Sequence, residues 1–113
     1  MSIKPVVSLY ASAARPEHWM KLYDSIKFNI CAFEIIFVGP NPPKFQLPKE
    51  FTFIKSFTKP VQCAEIAARS AKGEFLLHCV DDLIFKDKNA LDKLLEFYNK
   101  NIHFNNELIL SPK

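Results

Sequence analysis

Glycine is nearly missing from this chain: Gly39 and Gly73 are the only two in 113 residues. Two glycines so far apart can build neither a G-x-G-x-x-G fingerprint nor a P-loop, so a Gly-rich phosphate cradle is excluded. Cysteine is sparse as well. Cys31, Cys63 and Cys79 are odd in number, form no CxxC pair and take no zinc spacing with His18, His78 or His103. Free thiols in a reducing, cytoplasmic compartment are the expectation. No apolar run approaches a membrane span, and the opening MSIKPVVSLYASAARPE lacks the apolar core of a signal peptide. Charge blocks are missing too, since the fifteen Lys and Arg are scattered from Lys4 to Lys113 and the net charge is only +3. That gives little support to a nucleic-acid partner, and none is expected; a mildly basic cleft for phosphates fits equally well. There is no internal repeat and no low-complexity tract. At this length, with 49% apolar and 24% charged residues, a single globular domain over residues 1–113 is expected.

What the chain does contain is concentrated at residues 74–85, EFLLHCVDDLIF. Phe75, Leu76, Leu77, Cys79 and Val80 run straight into Asp81 and Asp82. A continuous apolar run of this length suits a strand buried on both faces, as in a parallel sheet. In such sheets ligands bind at the carboxyl ends of the strands, where these acids would lie. Adjacent carboxylates repel, and a divalent cation completed by phosphates and water is one natural compensator. A plain strand-ending turn is the other reading of the pair, since Asp is a good turn former.

The rest of the chain alternates strand and helix signals. Residues 5–10, 34–38, 51–57, 74–80 and 107–110 read as strands. Ala11-Ser12-Ala13-Ala14 reads as a small-residue turn after the first, and Gly39-Pro40-Asn41-Pro42-Pro43 as a rigid loop after the second. Pro16 opens a helix to about residue 30, with Trp19 and Met20 facing the core. A second helix runs from Pro60 to Gly73, the latter in a C-cap position, and a third from about 88 to 101. This order predicts an α/β fold with a mainly parallel sheet flanked by helices on both faces. His78 is expected as a packed core histidine, and the core as Phe-rich, given eleven phenylalanines.

In this order the pieces resemble the amino-terminal half of a family 2-like glycosyltransferase of the GT-A fold. The resemblance rests on VVSLYAS followed by Arg15, on FEIIFVG, and most specifically on AKGEFLLHCVDD, and it runs from Val6 to about Asn101. It implies a GT-A, Rossmann-like sheet in truncated form, holding a nucleotide-diphosphate sugar donor with Mn2+ or Mg2+ bridging the diphosphate. By that resemblance Ala11, Ser12, Arg15, Gly39 and Asp81 would form the nucleotide site and Asp82 would hold the metal. Three departures accompany it. Gly39-Pro40 stands where the family has a base-binding acid, Ala64-Glu65 stands for its Arg-Asn, and the first acid of a DxD falls on Val80 or Cys79.

The chemistry such a site would serve is direct. Breaking a sugar–diphosphate bond builds negative charge on the leaving phosphate, and a metal would stabilise it as a Lewis acid. No residue presents itself as a general base, and the acceptor is open. Two functions therefore compete: a sugar-transferring enzyme, or its donor-binding half, and a GT-A-like module that keeps the fold without the activity.

Overall fold

The computed structural model describes residues 4–100 and 110–112. Strand β1 (Val7–Ser12) is followed by a 3-10 turn at Pro16–His18 and helix α1 (Trp19–Ile26). Then come β2 (Phe33–Gly39), β3 (Phe51–Lys55), α2 (Pro60–Ser70), β4 (Phe75–His78), α3 (Ala90–Lys100) and β5 (Leu110–Pro112). The five strands form one sheet in the order β3-β2-β1-β4-β5. The pairs β1–β2, β1–β4 and β2–β3 are parallel, and β5 runs antiparallel to β4. A mainly parallel sheet was expected, and it is present.

Alternation along the strands sorts the side chains onto two faces. Val7, Leu9 and Ala11 of β1 and Phe33, Ile35 and Phe37 of β2 join Trp19, Leu22 and Ile26 of α1 and Leu91 of α3 in one core cluster. Ile36 and Val38 of β2 meet Cys63 and Ala67 of α2, with Ala71 just beyond it, in the other. Helices thus cover both faces. α1 docks through a stripe at 19, 22 and 26, a helical spacing, and the Trp19 ring lies 5.0 Å from Phe37 and 5.5 Å from Phe53. α2 starts with Pro60 at its first turn and with the Lys59 amide donating to the Gln62 side chain at 3.3 Å. Its small residues Cys63 and Ala67, with Ala71 just past its end, let it lie close against β1 and β2.

Several boundaries move. β1 is shifted toward its carboxyl end, because Ala11 and Ser12 pair with Phe37 and Val38 of β2 instead of turning. The first helix stops at Ile26, where the Asn29 side chain donates to the Ile26 carbonyl at 2.8 Å. β3 ends at Lys55 and β4 at His78, short of the expected 57 and 80. Of the last expected strand, 107–109 lie outside the described residues, and the described strand begins at Leu110. Gly73 is not the C-cap of α2; that place is Ala71, in extended conformation. Gly73 instead leaves room for Ser8, whose Oγ accepts its amide at 2.8 Å, and a Cβ there would lie 2.5 Å from that oxygen.

His78 is corrected outright. It is exposed, stacked on Tyr10 with ring centroids 5.0 Å apart. α2 packs over β1 and β2 and leaves the end of β4 uncovered, so of that strand only Leu77 is buried. His103 lies outside the described residues. The core does use phenylalanine, with Phe33, Phe37 and Phe51 buried, but Phe28, Phe45, Phe57 and Phe97 are exposed.

Candidate functional site

The connections of the sheet create one crevice. From β1 the chain passes through α1 to β2 on one side, whereas from β3 it returns through α2 to β4 on the other. The carboxyl ends of β1 and β4 therefore flank the point where strand order reverses, the place where open α/β sheets take ligands. Into this crevice the β1–α1 loop brings Arg15, and the turn after β4 brings Asp81 and Asp82.

Asp81 is only 4% exposed and holds the loop in shape. Its Oδ2 accepts the amides of Ala14 at 3.1 Å and Arg15 at 2.8 Å, and the indole Nε1–H of Trp19 at 3.4 Å. Its Oδ1 accepts from the Arg15 guanidinium at 3.2 Å. A carboxylate taking four donors, one of them a cation, is compensated for its burial. The same Arg15 nitrogen, Nη2, lies 3.3 Å from Oδ2 of Asp82, whose side chain is 44% exposed. The hydrogen bond that the guanidinium donates to Asp81 and the charges of both acids raise the Arg15 pKa above its already high value, so the guanidinium stays charged.

Beside the crevice lies a cleft of about 770 Å³. Ala14, Pro16 and Glu17 form one wall and residues 41–45 the other. The walls are tied together where Asn41 Nδ2 donates to the Ala14 carbonyl at 2.9 Å. Gly39 sets how close they come, because a Cβ on it would stand 1.8 Å from the Ala13 carbonyl oxygen. Its φ is ordinary; it is close approach that requires glycine here.

Of the residues singled out in the sequence, Arg15, Asp81 and Asp82 meet in one cluster. Ser12 and Gly39 end the paired strands β1 and β2 next to it, Ser12 half-buried and Gly39 buried. The Ala11 side chain points into the core and is 1% exposed, so only its backbone lies near the site. Sequence reading missed the Trp19 indole as a donor to Asp81 and the cleft wall at Asn41, Lys44 and Phe45. The one sequence signal for the wall was Asn41 set between prolines in a stiff loop.

The expected Mn2+ or Mg2+ can be tested against these donors. A hard cation at such a site is held by one or two carboxylates and completed by substrate phosphates and water. Both oxygens of Asp81 are occupied, and Asp82 is paired with a guanidinium. Cys79 is buried, and burial followed by the nearby Asp81 charge pushes its thiol up to about 12, so it stays protonated. No group of three metal-ligating side chains occurs among the described residues. Among the described residues, the donors left open do not fit a divalent metal held by a pair of carboxylates.

No protein-family profile and no curated protein matches the chain. Among solved structures it is similar to residues 1–349 of TarS from S. aureus, with a TM-score of 0.68 and 18% identity over 86% of this chain. The same TarS fragment in complex with UDP gives 0.66 at 17% identity over 86% of the chain, and the longer TarS structure 0.67 at 18%. The chain spans 33% of the TarS fragment's length. The likeness shows the fold alone, a GT-A-like α/β sheet. Among the described residues no helix is long and apolar enough to cross a membrane.

Proposed function

We propose that this chain is the donor-binding part of a glycosyltransferase. In this reading the nucleoside of a nucleotide-diphosphate sugar lies in the cleft between Ala14 and Phe45. Its diphosphate reaches the crevice at Arg15, alongside Ser12 and Gly39. One observation carries the reading. A cleft and a fixed cation stand side by side at the switch point of a sheet whose TarS counterpart was solved with UDP. The apolar wall at Pro42, Pro43 and Phe45 suits a flat base, and the Asn41 and Glu17 side chains offer polar groups for a base or ribose. Arg15 is a planar, permanently charged fork that matches phosphate oxygens. Placed where the sugar–phosphate bond breaks, it stabilises the charge that grows on the leaving diphosphate.

The acceptor is unassigned, and none of the residues gathered at the crevice is placed as a general base. The free thiols support a reducing, cytoplasmic setting. A second reading, a binding module without transfer, is favoured by one fact. Asp81, the better-placed acid, is consumed in holding the loop. Release of UDP from UDP-sugars by the protein separates the two readings. Donor binding itself is tested by titrating UDP, GDP and uridine while following amide chemical shifts. The expectation is that diphosphates perturb Ser12, Gly39 and Asp82 more than uridine does. Unmoved amides at these positions would sink the donor-binding reading.

A further inference from the structure

We infer that diphosphate binding at this crevice does not need a divalent cation, because the Arg15 guanidinium stands where the metal would, with Asp82 as its competitor rather than a metal ligand. The inference rests on the donor-binding reading and fixes how that site meets charge. Three observations carry it. The first is the state of Asp81. Freeing its Oδ2 for a metal would orphan the Ala14 and Arg15 amides and the indole N–H of Trp19, which is fully buried. The second is what remains to replace it. The two positions before the acid pair carry a buried thiol, Cys79, and an apolar side chain, Val80, neither of them a hard oxygen donor. The third is Arg15 itself. Its Nη2 sits within 3.3 Å of both carboxylates, and its side chain is 51% exposed, open to an incoming anion.

These facts set the sign of each response. A divalent ion bound by Asp82 would have to displace the guanidinium or sit beside it against its charge. A diphosphate instead replaces Asp82 as the partner of Arg15, exchanging one anion for another. The Asp81 contact keeps the guanidinium in place during the exchange, since Asp81 is fixed by three further N–H groups. Lys44 on the neighbouring wall of the cleft adds a second cation near the ligand. Removing the Asp82 charge should therefore strengthen diphosphate binding. Under a metal mechanism the same change would weaken it.

The test is calorimetric titration of UDP into the full chain in EDTA, in Mg2+ and in Mn2+, with Asp82→Asn and Arg15→Ala alongside. The expected result is an affinity within about threefold across the three buffers, tightened severalfold by Asp82→Asn and weakened about tenfold or more by Arg15→Ala. An affinity that rises about tenfold with Mn2+ and loses that gain in Asp82→Asn would overturn the inference while leaving donor binding intact. UDP that binds in no buffer overturns the donor-binding reading and this inference with it. Asp82 is a surface residue whose partner among the described residues is Arg15, so Asp82→Asn separates the two mechanisms even if Arg15→Ala fails to fold.

Discussion

Asp81 should behave as a structural latch, and the size of the effect follows from what its oxygens hold. In Asp81→Ala the buried Trp19 indole N–H, 3.4 Å from Oδ2, loses its acceptor in a place closed to solvent. An orphaned buried donor costs about 1–3 kcal/mol. The Ala14 and Arg15 amides, at 3.1 and 2.8 Å, also lose an anionic partner, but both residues are exposed and water replaces part of it. Together the loss comes to about 3–4 kcal/mol, a large share of the ~5–15 kcal/mol that holds a typical domain. Asp81→Asn is milder, because its amide oxygen can keep the three N–H groups and only its NH2 meets the Arg15 guanidinium, donor against donor. About 1–2 kcal/mol is expected there, and little for the exposed Asp82→Asn. Thermal unfolding followed through Trp19, the single tryptophan, reads all three. At roughly 4 °C per kcal/mol, Asp81→Ala should lower Tm by about 12–16 °C. An Asp81→Ala protein within ~1 kcal/mol of the parent would refute the latch. A rise in stability for Asp81→Asn would mean that repulsion from Asp82 outweighs the bonds to the loop.

Other outcomes follow from single contacts. Gly39→Ala places a Cβ 1.8 Å from the Ala13 carbonyl, backbone that cannot move aside cheaply, and should cost about 3 kcal/mol or more in urea unfolding. A loss under ~1 kcal/mol would show that the two loops part easily. Burial, helped by Asp92, pushes the Cys31 thiol up to about 12, and burial does the same to Cys79. At pH 8 both should alkylate roughly a thousandfold more slowly than in the denatured chain, read by intact mass after quenching. Asp92 supplies an acid limb. Partial burial pushes its carboxyl up, but the amides of Ile30 and Cys31, at 2.7 and 2.9 Å, reverse this and leave it below its ordinary value. Its contribution is therefore complete above about pH 4 and lost as pH falls through the depressed value. Asp92→Asn should flatten stability against pH in that window, and an unchanged acid limb would assign it elsewhere.

The fold was legible where periodicity and strand length act together. FEIIFVG reads as a central strand because a run of buried side chains is what two-sided cover demands, and six of the seven residues of β2 are buried. The same logic failed on FLLHCV, an equally apolar run, because α2 lies over β1 and β2 and leaves the end of β4 open. Burial on a sheet depends on which strand a helix happens to cross, and that is not written locally. The displacement of β1 has a related cause. Ala11 and Ser12 carry turn-forming small side chains, yet ladder pairing with Phe37 and Val38 holds them extended, a tertiary effect that overrides local preference.

The site was legible as a set of residues and illegible as a set of roles. Arg15, Asp81 and Asp82 all stand out in the sequence, but tandem acids after a strand look the same whether they hold a metal or a loop. What decides is the register between β1 and β4. Tyr10 pairs with His78, and the Cys79 amide donates to the Tyr10 carbonyl at 3.1 Å, so the turn carrying Asp81 comes up beneath Ala14 and Arg15. From there Asp81 reaches both amides, and its side chain cannot also point outward. The bonds that remove Asp81 from metal binding fix the backbone of Arg15, and so aim a cation into the crevice. Losing an acid ligand and gaining a positioned guanidinium are one structural event, set by strand register. Under the proposed donor binding, the response of the crevice to a diphosphate therefore turns on the Arg15–Asp82 pair, the half of the cluster still open to solvent.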